Sequence, residues 1–182
     1  NNIFVKYIER SAISMTPAMY IGTMVLGTII AFAITIPVTL ISYFWLNLGF
    51  LSLIPIVLAI LVPAGFILYP IIKQSERRER IEYELPFVAG YLSVLASVGI
   101  PPDKLFESLA RQDFGEASKE AKLMVRDMHF FGQDFLTATK NAIERTPSKT
   151  FREFLEGMRT TILSGGSLRR YLEEQTDTLM KL

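Results

Sequence analysis

Cysteine is absent from the chain, and histidine occurs once, at His129. The first absence excludes disulfides, thiolate nucleophiles and Cys-based metal sites. The second leaves any zinc site to carboxylates, and none of these cluster in the sequence. His129 lies beside Met128, Phe130 and Phe131 at a helix end, so it reads as a partly buried or locally hydrogen-bonded side chain. Gly165-Gly166-Ser167 lacks the lysine of a phosphate-binding loop and no strand precedes it, so it reads as a helix stop followed by a cap. No catalytic, cofactor-binding or metal-binding residue is therefore expected, and any energy used must come from a partner. Acids and bases are balanced, Lys+Arg 19 against Asp+Glu 18, which leaves no footprint for nucleic acid.

Charge itself is missing from Ser11 to Ile72, a stretch of about 60 residues, where roughly 20 suffice for a helix to cross a membrane. Two spans are expected, at about 17–44 and 51–72. Thr16 can cap the first and Pro17 suits its first helical position. Pro37 marks a kink, and Trp45, Asn47 and Gly49 form the break. Pro55 falls in the first turn of the second span, and Pro63 marks another kink. Lys6 and Arg10 precede this hairpin and Lys73, Arg77, Arg78 and Arg80 follow it, which puts both ends in the cytoplasm of a cell whose plasma membrane holds the chain. The apolar region is too long for a signal peptide. A missing initiator Met suggests a piece of a longer polypeptide. Thr23, Gly27, Ala31 and Thr35 recur on one face of the first span, where small residues let helices approach closely. That face packs either on the second span, or on another subunit or a further span outside this sequence.

From Lys73 to Leu182 there are about 110 residues, enough for one small domain. The apolar spacing is helical throughout. A first helix, about Arg77 to Val98, carries Ile81, Leu85, Val88, Leu92 and Leu95 on one stripe. Phe87, Tyr91, Val94 and Val98 form a second, which predicts burial on both faces at the centre of a bundle. Gly99 ends it and Pro101-Pro102 open a helix with Leu105, Phe106 and Leu109 inward. A third, about Glu116 to Met128, buries Ala117, Ala121, Val125 and Met128. The fourth follows Gly132 with Phe135, Leu136, Ala142 and Ile143. Thr146-Pro147 opens the fifth, with Phe151, Phe154, Leu155, Met158 and Ile162. Ser167 caps a sixth, with Leu168, Tyr171, Leu172 and Leu179. The expected fold is all-α: a transmembrane hairpin (16–72) after a short cytoplasmic segment (1–15), then an antiparallel six-helix bundle (73–182).

Six helices bring the chain back toward the membrane at Leu182. Phe87, Gly90, Ser97 and Gly99 match Phe154, Gly157, Ser164 and Gly166 at one constant offset, through chance, the shared needs of helix hairpins or duplication. Glu82, Glu84, Glu173 and Glu174 read as solvated. Glu76-Arg77-Arg78-Glu79-Arg80 reads as a lipid-surface anchor through Arg77, Arg78 and Arg80, or as a charged contact with a cytoplasmic partner.

Glu84-Leu85-Pro86-Phe87-Val88, Leu92 to Ala96, Gly99-Ile-Pro-Pro and Leu105 to Ala110 resemble the first half of a type II secretion F domain. Phe154 to Leu172, through Ser164-Gly-Gly-Ser-Leu168, is similar to that family's closing hairpin, with Gly166 where an acidic residue often stands. The two spans ahead of the domain resemble the archaeal or Tad-like branch. The resemblance implies a polytopic platform of a type IV pilus, archaellum or type II secretion machine. It implies a hexameric secretion ATPase, pilin-like subunits and membrane lipids as partners, and leaves room for a homodimer. The ATPase is expected at the turns farthest from the membrane, Gly99 to Asp103, Phe130 to Asp134 and Gly165 to Arg170, with Gly165 and Gly166 flanking the basic pair Arg169 and Arg170. A helical adaptor or regulatory domain of a transporter or signalling complex is the alternative, but the spans lack the intramembrane charges expected of a substrate path. A membrane enzyme acting on lipids lacks catalytic groups near the interface.

Overall fold

Proline at the first helical position and an unbroken apolar run give the first helix, α1, Pro17–Phe44. The computed structural model describes residues 17–44 and 54–181. The expected cap at Thr16, the break at Trp45, Asn47 and Gly49, the charges Lys6 and Arg10, the start of the second span at Leu51 and the terminal Leu182 lie outside the described residues. Within them the chain forms seven helices and no strand. The others are α2 (Ile54–Ser97), α3 (Pro102–Arg111), α4 (Gly115–His129), α5 (Phe135–Arg145), α6 (Lys149–Leu163) and α7 (Leu168–Leu179).

Two compact units divide the chain, Asn1–Gln74 and Ser75–Leu182. In the first, Ala18–Ile41 is long and apolar enough to cross a membrane, and among the described residues it is the one helix that passes this test. At ~1.5 Å per residue a segment of that length matches a bilayer core of about 30 Å. Its large side chains, Val25, Ile29, Ile34 and Leu40 among them, are exposed, as a membrane-crossing helix would require. The threonine hydroxyls turn back onto their own helix: Thr28 donates to Met24 O, Thr35 to Ala31 O and Thr39 to Thr35 O. An apolar solvent would accept none of these hydrogens. Tyr20 is buried, its hydroxyl donates to Phe66 O at 2.7 Å, and the two rings meet edge to face at 6.2 Å.

A separate helix beginning near Arg77 was the expectation. Instead α2 continues through Ile72 and Arg77 without interruption, because nothing between them breaks a helix: Lys, Gln, Ser, Glu and Arg all tolerate one.

In the second unit the core is one cluster, built from Ile81, Leu85, Val88 and Leu92 of α2, Leu105, Phe106 and Leu109 of α3, and Phe151, Phe154, Leu155 and Met158 of α6. Met124 of α4, Ala142 of α5 and Leu172 of α7 complete it. Successive helices pack on one another from α3 to α7. Their ends follow local chemistry. Pro102 starts α3, while Asp134, Ser148 and Ser167 cap α5, α6 and α7 by accepting from the N–H groups of Thr137, Phe151 and Arg170. Gly99 and Gly165 end α2 and α6 at φ of +83° and +70°, a conformation open to glycine at little cost. Half of the expected α2 burial fails. Phe87, Val94 and Val98, the second stripe, are exposed, and of that stripe Tyr91 alone is half-buried, against Phe114.

Candidate functional site: a buried charge hub and the far turns

Charged residues hold one end of the second unit together. Arg77 of α2 is buried and pairs with Glu116, at 3.0 Å, and with Glu120. Glu120 is fully buried and its second oxygen takes Arg145 Nε of α5 at 3.1 Å. Arg145 also reaches Asp127, at 3.5 Å, which Arg126 holds from the neighbouring position at 2.8 Å. Three helices thus meet on one carboxylate. A charge this deep persists only when paired, because removing it from water costs several kcal/mol. Glu116 shows the balance: burial pushes its carboxyl up, but hydrogen bonds from Lys119 and Arg77 outweigh this and hold it below the ordinary glutamate value.

Two more acidic residues of α2 act at the same end. Glu84 accepts from the Ala117 N–H at 2.9 Å, and Glu82 accepts from the Ser148 hydroxyl at 3.2 Å. The α3–α4 and α5–α6 turns therefore gather around the Arg77–Glu84 segment. The turns after α2, α4 and α6 leave by the opposite ends of those helices.

The expected lipid-surface set divides. Arg78 and Arg80 are exposed, Arg78 in an i,i+4 pair with Glu82, whereas Arg77 faces inward to Glu116 and Glu120. The reason is position: Arg77 falls on the side of α2 that meets α4. Its true partner lies 43 residues away, and no local pattern marks such a pair. Glu82 and Glu84 are likewise half-buried rather than solvated, while Glu173 is exposed and pairs with Arg169.

At the far turns, Gly99, Gly165, Gly166, Arg169 and Arg170 are all exposed and Asp103 is half-buried. Arg169 is held by Glu173 at 2.8 Å. Phe130 and Phe131, in the expected turn Phe130 to Asp134, are strongly exposed at 84% and 65%. The Arg126 guanidinium lies 5.6 Å from the centre of the Phe131 ring, a cation–π distance. Leu163, just before the α6–α7 turn, is exposed too. His129 is exposed rather than partly buried, and its Nε2 lies 3.0 Å from Oε1 of Glu107, 22 residues away on α3 and so not a local partner. Among the described residues no group of three or more His, Cys, Asp or Glu is placed to hold a metal ion.

On α1, Gly27 faces Phe66, and a Cβ there would stand 3.3 Å from the ring. Ala31 and Thr35 share the half-buried side, while Thr23 is exposed with its hydroxyl on Tyr20 O.

Comparison with known proteins places this architecture. The sequence pattern of the family described as type II secretion system (T2SS), protein F, matches residues 88–182. An uncharacterized protein of Methanocaldococcus jannaschii is 30% identical over 116 residues, covering 63% of this chain and 20% of its own length. Flagella accessory protein J of Methanococcus voltae is 26% identical over 153 residues, covering 80% of this chain and 27% of its own. The M. jannaschii flagella accessory protein J is 25% identical over 170 residues, covering 92% and 30%. The chain thus spans between about a fifth and a third of the length of these curated relatives. No solved structure matches it.

Proposed function

This chain belongs to the type II secretion system protein F family, and on that premise we propose that it is part of a membrane platform in an archaellum-like or related secretion machine. The platform couples a hexameric cytoplasmic ATPase to pilin-like subunits and is not itself an enzyme. The observation that carries this reading is the family match from residue 88, near the end of α2, through all the helices after it, joined to relatives named flagella accessory protein J.

The membrane part is a hairpin in this reading, with α1 followed by a second span in the apolar first half of α2. The exposed Val57, Ile60, Leu61, Ile67 and Leu68 support that second span. Arg78 and Arg80 then lie at the lipid surface, where each basic residue contributes about 1 kcal/mol of attraction to anionic headgroups. Gly27, Ala31 and Thr35 pack within the hairpin, with Thr23 at its edge.

The second unit is an antiparallel bundle of six helices. Its far turns, at Gly99 and Asp103, at Phe130 and Phe131, and at Gly165, Gly166, Arg169 and Arg170, receive the ATPase. Exposed aromatics beside arginine suit that role, since both residue types are enriched at binding hot spots.

Binding of the ATPase to the detergent-solubilised protein tests this. Arg169→Glu with Arg170→Glu is expected to weaken capture at low salt, where charge contacts count most, while the thermal melt stays unchanged. Undiminished capture would remove these turns from the docking surface.

A further inference from the structure

The sequence of α4 interleaves three acids, Glu116, Glu120 and Asp127, with four basic residues, Lys119, Lys122, Arg126 and His129. Folding sorts the two sets. The acids step by four and seven residues along one line, which turns inward to Arg77 of α2 and Arg145 of α5. The basic residues step by three, four and three along another line. Among the described residues those four are the exposed ones of α4, with no exposed acid or apolar side chain between them. From Lys119 to His129 the line runs for about 15 Å, at ~1.5 Å per residue.

Arg77 and Arg145 meet the carboxylates from inside, so the outer line keeps a surplus of positive charge. Lys119 shares Glu116 with Arg77, and Arg126 shares Asp127 with Arg145. Lys122 makes no ion pair among the described residues. On the helices packed against α4 the charges are matched: Asp103 and Glu107 of α3 stand with Lys104 and Arg111, and Glu144 of α5 with Lys140. The surplus therefore belongs to α4 alone.

The shape of the line identifies its partner. It is straight, one side chain wide and set at the repeat of an α-helix. A second helix lying beside it can place a carboxylate against each base, as charged positions flanking a coiled-coil seam do. Grooves for single-stranded nucleic acid add aromatic side chains that stack bases, and none stands between Lys119 and His129. Helices that rest on lipid press an apolar face into the bilayer, whereas the apolar face of α4, with Ala117, Ala121 and Met124, is spent in the core. We infer that the exposed line of α4 docks an acidic helix of a partner protein, whose carboxylates, three and four residues apart, meet Lys119, Lys122 and Arg126. A field of one sign acts chiefly by speeding encounter and excluding basic partners. The inference does not rest on ATPase docking, because none of these three residues belongs to the far turns.

The whole protein in nanodiscs of neutral lipid is titrated into fluorescent peptides, with binding followed by anisotropy at low salt. One peptide is an alanine-based helix with glutamates at steps of three and four residues; its isomer carries the same glutamates spread round the helix. The first is expected to bind more tightly than the isomer. Lys122→Glu should weaken it by roughly tenfold and Lys122→Ala by less, with the thermal melt retained, while Lys140→Glu on α5 and Arg169→Glu with Arg170→Glu leave it unchanged. Absent binding, equal binding of the isomer, or parental affinity in both Lys122 variants overturns the inference. So does an equal loss in Lys140→Glu or in the Arg169 and Arg170 variant, which reports the general field or another surface. Displacement of the peptide by single-stranded RNA or by phosphatidylserine vesicles, at a lower concentration of negative charge than unlabelled peptide requires, assigns the line to those ligands and overturns it as well.

Discussion

The Glu84 carboxylate on α2 accepts the Ala117 N–H at 2.9 Å, across 33 residues of sequence, and so supplies α4 with the cap that its own flanking residue, Phe114, cannot provide. Gly115 sits in the same contact at φ of +61°, and a Cβ there would collide with the carboxylate. One acidic side chain and one glycine therefore join the start of α4 to α2.

Removing the cap by Glu84→Ala is expected to cost about 1 kcal/mol, within the range of other helix caps. Gly115→Ala should cost more, because the left-handed backbone alone adds roughly 1–2 kcal/mol for any residue with a Cβ before the collision is counted. Urea unfolding of the two variants orders them, and equal losses would show that the carboxylate moves aside freely.

Leu92 and Phe87 lie on opposite sides of α2, and their truncation should separate cleanly. Leu92 is fully buried, so Leu92→Ala is expected to destabilise by about 2–5 kcal/mol through lost contacts and a cavity. Phe87→Ala, on the exposed side of α2, should stay within about 0.5 kcal/mol in the detergent-dispersed protein. Thermal melts of both variants check the contrast.

These residues also show where sequence reasoning reaches. Helix ends were legible because their signals are local: Pro102, Ser167 and the positive-φ glycines Gly99 and Gly165 act within a turn of where they stand. Core positions such as Leu105, Phe106, Phe151 and Phe154 were legible from helical spacing. Burial of Phe87, Val94 and Val98 was misread, because an apolar stripe records that a surface is to be covered and not by which molecule. The hub of Arg77, Glu120 and Arg145 and the Glu84 cap were invisible, since each joins residues far apart in sequence and charged residues ordinarily face water.

Glu120 holds Arg77 and Arg145 at once. Glu120→Ala leaves two guanidinium groups without their shared carboxylate and is expected to destabilise by about 3–5 kcal/mol, the usual cost of breaking a buried pair from one side. Glu120→Gln, which keeps one acceptor, should fall between that variant and the parent. A loss below about 1 kcal/mol for the alanine variant in urea unfolding would mean that water replaces the carboxylate.

Two side chains give the stability a pH dependence of known sign. The Glu116 carboxyl is held below its ordinary value, so its contribution is present above that value and is lost as pH falls through the lowered one. Tyr171 is opposite: burial pushes its hydroxyl up to about 12 from 10.0, against a backbone hydrogen bond that lowers it. Its contribution is complete below pH 10 and is lost as pH rises toward 12. Tyr171→Phe should therefore flatten the stability curve between those limits in melts taken across the range. An unchanged slope would place the loss on other groups.

The central claim, that this chain belongs to the platform on which a secretion ATPase assembles, is tested most directly by where the ATPase is found in cells. Membranes are fractionated from cells with the whole protein, from cells lacking it, and from cells carrying Arg169→Glu with Arg170→Glu. ATPase is expected bound to membranes in the first, released to the soluble fraction in the second, and largely released in the third although the variant protein remains in the membrane. Equal membrane-bound ATPase with and without the protein would contradict it.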